Sequence, residues 1–121
     1  MSLLFYKFFH VVSILTLFTV AGGTALYVAN GGDKAGNKAR KLVGVLHGLA
    51  LVVALVSGFG LLARLGLSFD SLWIWGKVVL WLAFGVLVTL PYRYPALGKP
   101  FLWALPLLGA LAAYLALYKP F

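Results

Sequence analysis

The chain of 121 residues is 64% hydrophobic and only 10% charged, and its mean hydropathy of +1.05 excludes an ordinary soluble domain. Its net charge of +8 does not indicate nucleic-acid binding, because the ten lysines and arginines are scattered at the ends of apolar stretches and form no basic face. The absence of cysteine excludes disulfides, thiolate metal sites and iron–sulfur clusters, so redox chemistry would need a bound cofactor.

Four apolar segments predict four membrane helices within a single domain of residues 1–121. They cover about residues 3–29, 42–65, 72–90 and 101–118. Pro91 is expected to end the third helix, and Pro100 suits the first turn of the fourth. The predicted fold class is therefore all-α, an integral membrane four-helix up-down bundle.

Basic residues predict the orientation of these helices. Four crossings put both termini on one side of the membrane, and the two loops on the opposite side carry six of the ten cations. Because cytoplasmic loops are enriched in lysine and arginine, we expect these loops in the cytoplasm and both termini outside it. The sequence thus predicts a multi-pass protein of the lipid bilayer, assigned to a bacterial inner membrane.

Polar side chains of the first segment share one helical face. At about 100° per residue, Tyr6, His10, Ser13 and Thr24 fall within a sector of roughly 120°. One interpretation makes this face the wall of a cofactor or substrate site. The other makes it a source of interhelical hydrogen bonds, which small hydroxyl side chains provide in many membrane bundles.

His10 and His47 are the candidate metal ligands, because imidazole is the best axial haem ligand in a chain whose only methionine is the first residue. Their depths from opposite membrane faces predict a height difference of about 10 Å or more, too far for both to bind one iron. His10 is therefore the preferred ligand of a haem iron, and His47 is the weaker candidate. For either histidine the alternative is a structural role.

Lys77 is the second informative residue, and it shares a helical face with Trp81 and Phe84 at spacings of four and seven residues. It enters the membrane from the same side as His10 and at a similar depth. A propionate or another anion bound there would meet its ammonium group. The alternative is that the side chain only extends to the lipid headgroups.

Carboxylates are missing from the apolar segments, since Asp33 and Asp70, the only acidic residues, both fall in predicted loops. The membrane helices therefore contain no proton-relay carboxylate, no carboxylate pair and no Ser–His–Asp set. Hydrolysis without a cofactor and ion-coupled transport are not expected of this chain.

Five short motifs stand out along the chain: Tyr6-Lys7-Phe8-Phe9-His10, Ala39-Arg40-Lys41, Ser57-Gly58-Phe59-Gly60, Trp75-Gly76-Lys77 and Lys119-Pro120-Phe121. Together they resemble the HemJ-type protoporphyrinogen oxidases and the related CopD-like small membrane proteins. This resemblance implies a haem b site with His10 as the iron ligand and Lys77 as the second functional position. It also makes a protoporphyrinogen oxidoreductase the candidate enzyme.

These observations favour a small haem b-binding, redox-associated membrane protein. In it, His10 would ligate the iron, Lys77 would supply a cation, and Trp81 and Phe84 would form apolar walls. The alternative is a non-catalytic structural or assembly subunit, in a homo-oligomer or a larger membrane complex. A copper-handling role by analogy with CopD-like proteins is less favoured, because one methionine and two distant histidines make a poor copper site.

Overall fold

The computed structural model describes residues 2–66, 70 and 72–118, and within these ranges the chain is helical and contains no strand. The helices are α1 (Leu3–Ala29), α2 (Arg40–Leu65), α3 (Leu72–Leu87), α4 (Leu90–Arg93) and α5 (Gly98–Tyr118), with a 3₁₀ turn at Pro95–Leu97. The predicted all-α class is confirmed. The terminal motif Lys119-Pro120-Phe121 lies outside the described residues.

Three stretches of the described chain are long and apolar enough to cross a membrane: α1, α2 and the stretch Pro95–Leu117, which joins the 3₁₀ turn to α5. The apolar part of α3, Ile74–Val86, is shorter. At 16 residues, α3 reaches roughly 24 Å, less than a hydrocarbon core of roughly 30 Å. The chain therefore has the helices of a membrane protein, with three spans of full length where four were predicted.

The first two helices lie close to their predicted positions. α1 has the predicted bounds, and the Ser2 hydroxyl accepts a hydrogen bond from the Phe5 amide at its start. α2 begins at Arg40, two residues before the predicted start, because Arg40 and Lys41 are good helix formers. It ends at Leu65, where Gly66 takes a left-handed conformation with φ 69°.

The third helix ends earlier than predicted. α3 stops at Leu87, because the Thr89 amide and hydroxyl both donate to the Val86 carbonyl and close a tight turn. Pro91 also lacks the N–H that would bond the Leu87 carbonyl in a continuing helix. Pro91 instead lies in the first turn of the short α4, so the prediction that it ends the third helix directly was wrong.

The last helix begins three residues before its predicted start. Gly98 opens α5 and is buried against α1, where an added Cβ would lie 2.9 Å from the carbonyl oxygen of Ala25 and the amide nitrogen of Ala29. This close approach of two backbones needs glycine. Pro100 falls in the first turn, as predicted, and Pro106 lies inside the helix.

α1 is antiparallel to both of its long neighbours. On α2, Tyr6 covers Gly60 near the far end of the helix, while on α5 Phe18 packs against Gly109. α3 is antiparallel to α2, since Trp81 reaches Leu51 while Ile74, earlier on α3, packs in a cluster with Leu62, later on α2. The buried core joins all four long helices through Leu17, Ala21, Ala50, Ala54, Phe84 and Leu105.

Candidate functional site

The polar face of α1 points into the helix packing. Ser13 and Thr24 are buried, and Tyr6 and His10 are partly buried. The Ser13 hydroxyl donates to the carbonyl of His10 at 2.8 Å, within its own helix. Only His10 of these residues makes a side-chain hydrogen bond to another helix in the part of the chain that the structure describes.

His10 is attached to α2 through one ring nitrogen. Its Nδ1 lies 3.0 Å from the Ser57 hydroxyl oxygen and 3.2 Å from the carbonyl oxygen of Ala54. The Ser57 hydroxyl itself donates to the Val53 carbonyl at 2.5 Å, which leaves its oxygen as an acceptor. The Ala54 carbonyl can only accept, so the tautomer assigned to the neutral ring carries its proton on Nδ1 and leaves the lone pair on Nε2.

Gly58 lets the imidazole lie flat against α2. A Cβ at position 58 would lie 3.3 Å from Cε1 of His10, tighter than normal van der Waals contact. From the sequence, Ser57 and Gly58 stood out only as part of a short motif, and their contact with His10 was not predicted. The connection between the two helices did carry a signal. In an antiparallel pair, residues at equal distances from the centre of the connection lie opposite each other. Counting from the centre of the connection at residues 30–41 places His10 opposite a position about one helical turn from Ser57.

A cavity of about 130 Å³ lies beside this imidazole. Its lining comes from α1, α2 and α3, and α5 contributes only Ala112. All four residues that the sequence proposed for a cofactor site line it: His10, Lys77, Trp81 and Phe84. The shared helical face of the last three therefore faces the cavity, and the polar groups at its wall come from two different helices, α1 and α3.

The aromatic walls of the cavity are held in place by their own contacts. Phe84 is buried and packs edge-on against Phe18, with ring centroids 4.9 Å apart. The indole N–H of Trp81 donates to the Leu51 carbonyl of α2 at 2.8 Å. Trp81 therefore offers a ligand its ring face, because its polar hydrogen already has a partner.

His47 lies elsewhere and is surrounded differently. It is only 6% exposed, lies beside the backbone of Phe84 and Gly85, and does not line the cavity. Neither of its ring nitrogens makes a hydrogen bond of good geometry among the described residues, although backbone groups of Phe84 and Gly85 lie close to the ring. Along α2 it is seven to ten residues from Ala54 and Ser57, roughly 10–15 Å from the level of His10.

This separation decides how many histidines one site can hold. The two imidazoles cannot ligate one iron from opposite faces, since axial ligands must face each other across the porphyrin plane. The described residues also contain no group of three or more His, Cys, Asp or Glu side chains able to hold a metal ion. A metal at this cavity would take His10 as its only histidine ligand.

The polar groups of the cavity suit haem b, whereas its volume suits a smaller ligand. The Nε2 lone pair of His10 suits an iron, and Lys77 suits a propionate. A cavity of about 150 Å³ is known to hold one benzene molecule, so the room here suits one aromatic ring. Because the cavity is partly open, a macrocycle of four pyrroles would extend beyond this space.

The site therefore combines one hydrogen-bond acceptor, one cationic donor and apolar walls in a space for a single ring. The haem b prediction stays a prediction and rests on the residues named above. No family model, curated protein or solved structure matches this chain.

Proposed function

We propose that α1, α2, α3 and α5 form an up-and-down bundle across a lipid bilayer, with α4 completing the crossing that the shorter α3 begins. The antiparallel contacts of α1 with α2 and α5, and of α3 with α2, support this arrangement. So do the large apolar side chains exposed along the helices, such as Leu15, Val52 and Val79, which would face acyl chains.

Six exposed cations support a topology with the α1–α2 connection in the cytoplasm of a bacterial cell and the termini outside. They are Lys34, Lys38, Arg40, Lys41, Arg93 and Lys99. The Asn37 amide donates to the Tyr92 hydroxyl at 2.7 Å and ties the connection to α4 at the same end of the bundle.

The topology can be tested cleanly because the chain has no cysteine. In intact cells, a membrane-impermeant maleimide should label Arg64→Cys, on the terminus side, and should leave Lys38→Cys unlabelled until the membrane is permeabilised. The reverse pattern would contradict the orientation, and labelling of both variants in intact cells would contradict the bundle.

We propose that the protein binds an amphiphilic ligand from the bilayer, and the family resemblance is what suggests that this ligand is redox-active. One observation carries this proposal: His10 and Lys77, from two apolar helices, line the same apolar cavity. Polar groups are costly inside a bilayer and tend to mark ligand sites there. Lys77 can serve a ligand whatever its contacts within the protein, because an ammonium has three donors.

Haem b is a second candidate ligand, favoured by the Nε2 lone pair that the Nδ1 hydrogen bonds leave on His10. His10 would then be the axial ligand, Lys77 would pair with a propionate, and Trp81 and Phe84 would cover the macrocycle. The porphyrin would supply the redox chemistry.

A purification experiment tests the proposal. The protein is extracted in mild detergent, its absorption spectrum is recorded, and organic extracts are examined by mass spectrometry. A stoichiometric ligand should accompany the wild-type protein and His47→Leu, the matched control, and much less of it should accompany His10→Leu. A Soret band that follows the same pattern would identify haem b.

A colourless protein without any extracted ligand would overturn the proposal. If it also co-purified with stoichiometric partners, the chain would be a non-catalytic subunit of a homo-oligomer or a larger complex. Gly44 and Gly48 favour that alternative, because an added Cβ at either would meet nothing within 4 Å in the described chain.

A further inference from the structure

We infer that the ligand of this cavity is a membrane hydroquinone, bound in its reduced form in preference to the quinone. The inference rests on the proposed function, since it names the ligand class of the same site. Three properties of the cavity carry it: its volume, the hydrogen-bond roles of His10 as acceptor and Lys77 as donor, and its apolar surroundings.

The volume sets the size of the bound group. About 130 Å³ is close to the cavity of about 150 Å³ that holds benzene, so a single substituted six-membered ring fits between α1, α2 and α3. The faces of such a ring meet the aromatic walls of Trp81 and Phe84, whose positions are fixed by their contacts with Leu51 and Phe18.

The hydrogen bonds of His10 set the polarity of the bound group. Because Nδ1 donates to α2, the nitrogen that remains for a ligand is Nε2, an acceptor. Lys77 on α3 offers only donors. The complementary ligand therefore carries a hydroxyl hydrogen for His10 and an oxygen lone pair for Lys77.

A hydroquinone meets both requirements on one ring. One of its hydroxyl groups donates to Nε2 of His10, and the other oxygen accepts from the Lys77 ammonium. A quinone has two carbonyl oxygens and no hydroxyl hydrogen, so it keeps the Lys77 contact and leaves the Nε2 acceptor unpaired. Leaving a buried polar atom unpaired weakens binding, and the site therefore discriminates between the two redox states.

The surroundings of the cavity suit a ligand with an apolar tail. Apart from His10 and Lys77 the lining is almost entirely apolar, and the cavity is partly open. Neighbouring side chains such as Val56 on α2 and Val79 on α3 are exposed on the outside of the bundle, where lipid would lie. A ring can therefore enter from the bilayer while its tail stays among acyl chains.

The experiment compares three ligands that share one ring and one tail. A decyl-substituted benzohydroquinone, its dimethyl ether and the corresponding quinone are added anaerobically to protein in quinone-free nanodiscs. Dissociation constants are obtained from the ligand-dependent rise in unfolding temperature. The hydroquinone should bind about tenfold more tightly than the ether or the quinone, because only it donates a hydrogen bond to His10.

Substitutions at the cavity and away from it test whether the preference for the hydroquinone arises at His10. In His10→Leu the three ligands should bind alike, whereas His47→Leu should keep the tenfold preference. Lys77→Met should weaken the hydroquinone and the quinone to a similar extent. The ligand comparison in the wild-type protein needs no variant, so it stands even where a substitution prevents folding.

Equal binding of hydroquinone and ether by the wild-type protein would overturn the inference, as would a preference that survives in His10→Leu. A Soret band that depends on His10, without hydroquinone binding, would overturn it in favour of haem b and leave the proposed function intact. Loss of both this inference and the proposed function would follow if no ligand were extracted and none of the three bound.

Discussion

The surroundings of His10 and His47 differ although both residues lie in apolar helices. His10 donates from Nδ1 to acceptors of α2 and lines a cavity with Lys77. His47 is buried, and neither of its ring nitrogens makes a hydrogen bond of good geometry among the described residues. Residue type and depth therefore do not distinguish the two histidines of this chain. The hydrogen-bond partners that orient the imidazole do distinguish them.

The two histidines should therefore contribute to stability with opposite sign. A buried polar atom without a hydrogen bond costs about 1–3 kcal/mol, whereas a satisfied neutral hydrogen bond contributes about 1 kcal/mol. The nitrogens of His47 therefore cost free energy of folding that the hydrogen-bonded Nδ1 of His10 does not.

The largest expected effect comes from filling the place of the His10 ring. Gly58→Leu would put side-chain atoms where the imidazole lies, because even a Cβ there would be 3.3 Å from Cε1. We expect ligand binding to be lost and the free energy of unfolding to fall by about 1–3 kcal/mol. Thermal unfolding in detergent and the ligand extraction described above measure both.

Gly48→Leu is the matched control for this variant, since an added Cβ at position 48 meets nothing within 4 Å. It should leave ligand binding unchanged and should not lower the free energy of unfolding, because leucine is a better helix former than glycine. Equal damage from both variants would mean that the ring of His10 is not seated at Gly58.

The second prediction is that replacing each histidine by leucine changes the free energy of unfolding in opposite directions. His47→Leu should raise the free energy of unfolding by about 1 kcal/mol, because it removes two buried nitrogens that lack a hydrogen bond of good geometry. His10→Leu should lower it by about 1 kcal/mol through loss of the Nδ1 hydrogen bond. Chemical denaturation followed by circular dichroism measures both, and destabilisation of the two variants alike would remove the distinction.

The smallest expected effect tests how Trp81 is held in the wall of the cavity. Trp81→Phe should lower the free energy of unfolding by about 1 kcal/mol, since the indole N–H donates to Leu51 across α2 and α3. Trp103→Phe is the control, because Trp103 is 80% exposed on α5. Equal unfolding temperatures for Trp81→Phe and the wild-type protein would show that this contact does not fix the wall.

Helix positions were predictable where composition changes sharply and not where tertiary contacts decide. α1 ends at Ala29 because the chain turns polar at Asn30, and this end was predicted from the sequence. The end of α3 depends on the double contact of Thr89 with Val86. The start of α5 depends on Gly98 lying against α1, which no local pattern encodes.

The site was predictable within each helix and not between helices. Periodicity brought Lys77, Trp81 and Phe84 to one face, and depth paired Lys77 with His10. The partners of His10 on α2 required the register of two helices, which side-chain packing sets and which the sequence constrains only to about one turn. The size of the cavity could not be predicted from the sequence either, because it depends on how closely three helices approach one another.

The tautomer of His10 tests the central claim most directly. Protein labelled with nitrogen-15 in its histidines is reconstituted without ligand, and long-range proton–nitrogen spectra are recorded, with His10 assigned by its absence from His10→Leu. We expect the proton on Nδ1 and an unprotonated Nε2. A proton on Nε2 would contradict the acceptor that His10 offers to the cavity, and with it the ligand chemistry proposed for this protein.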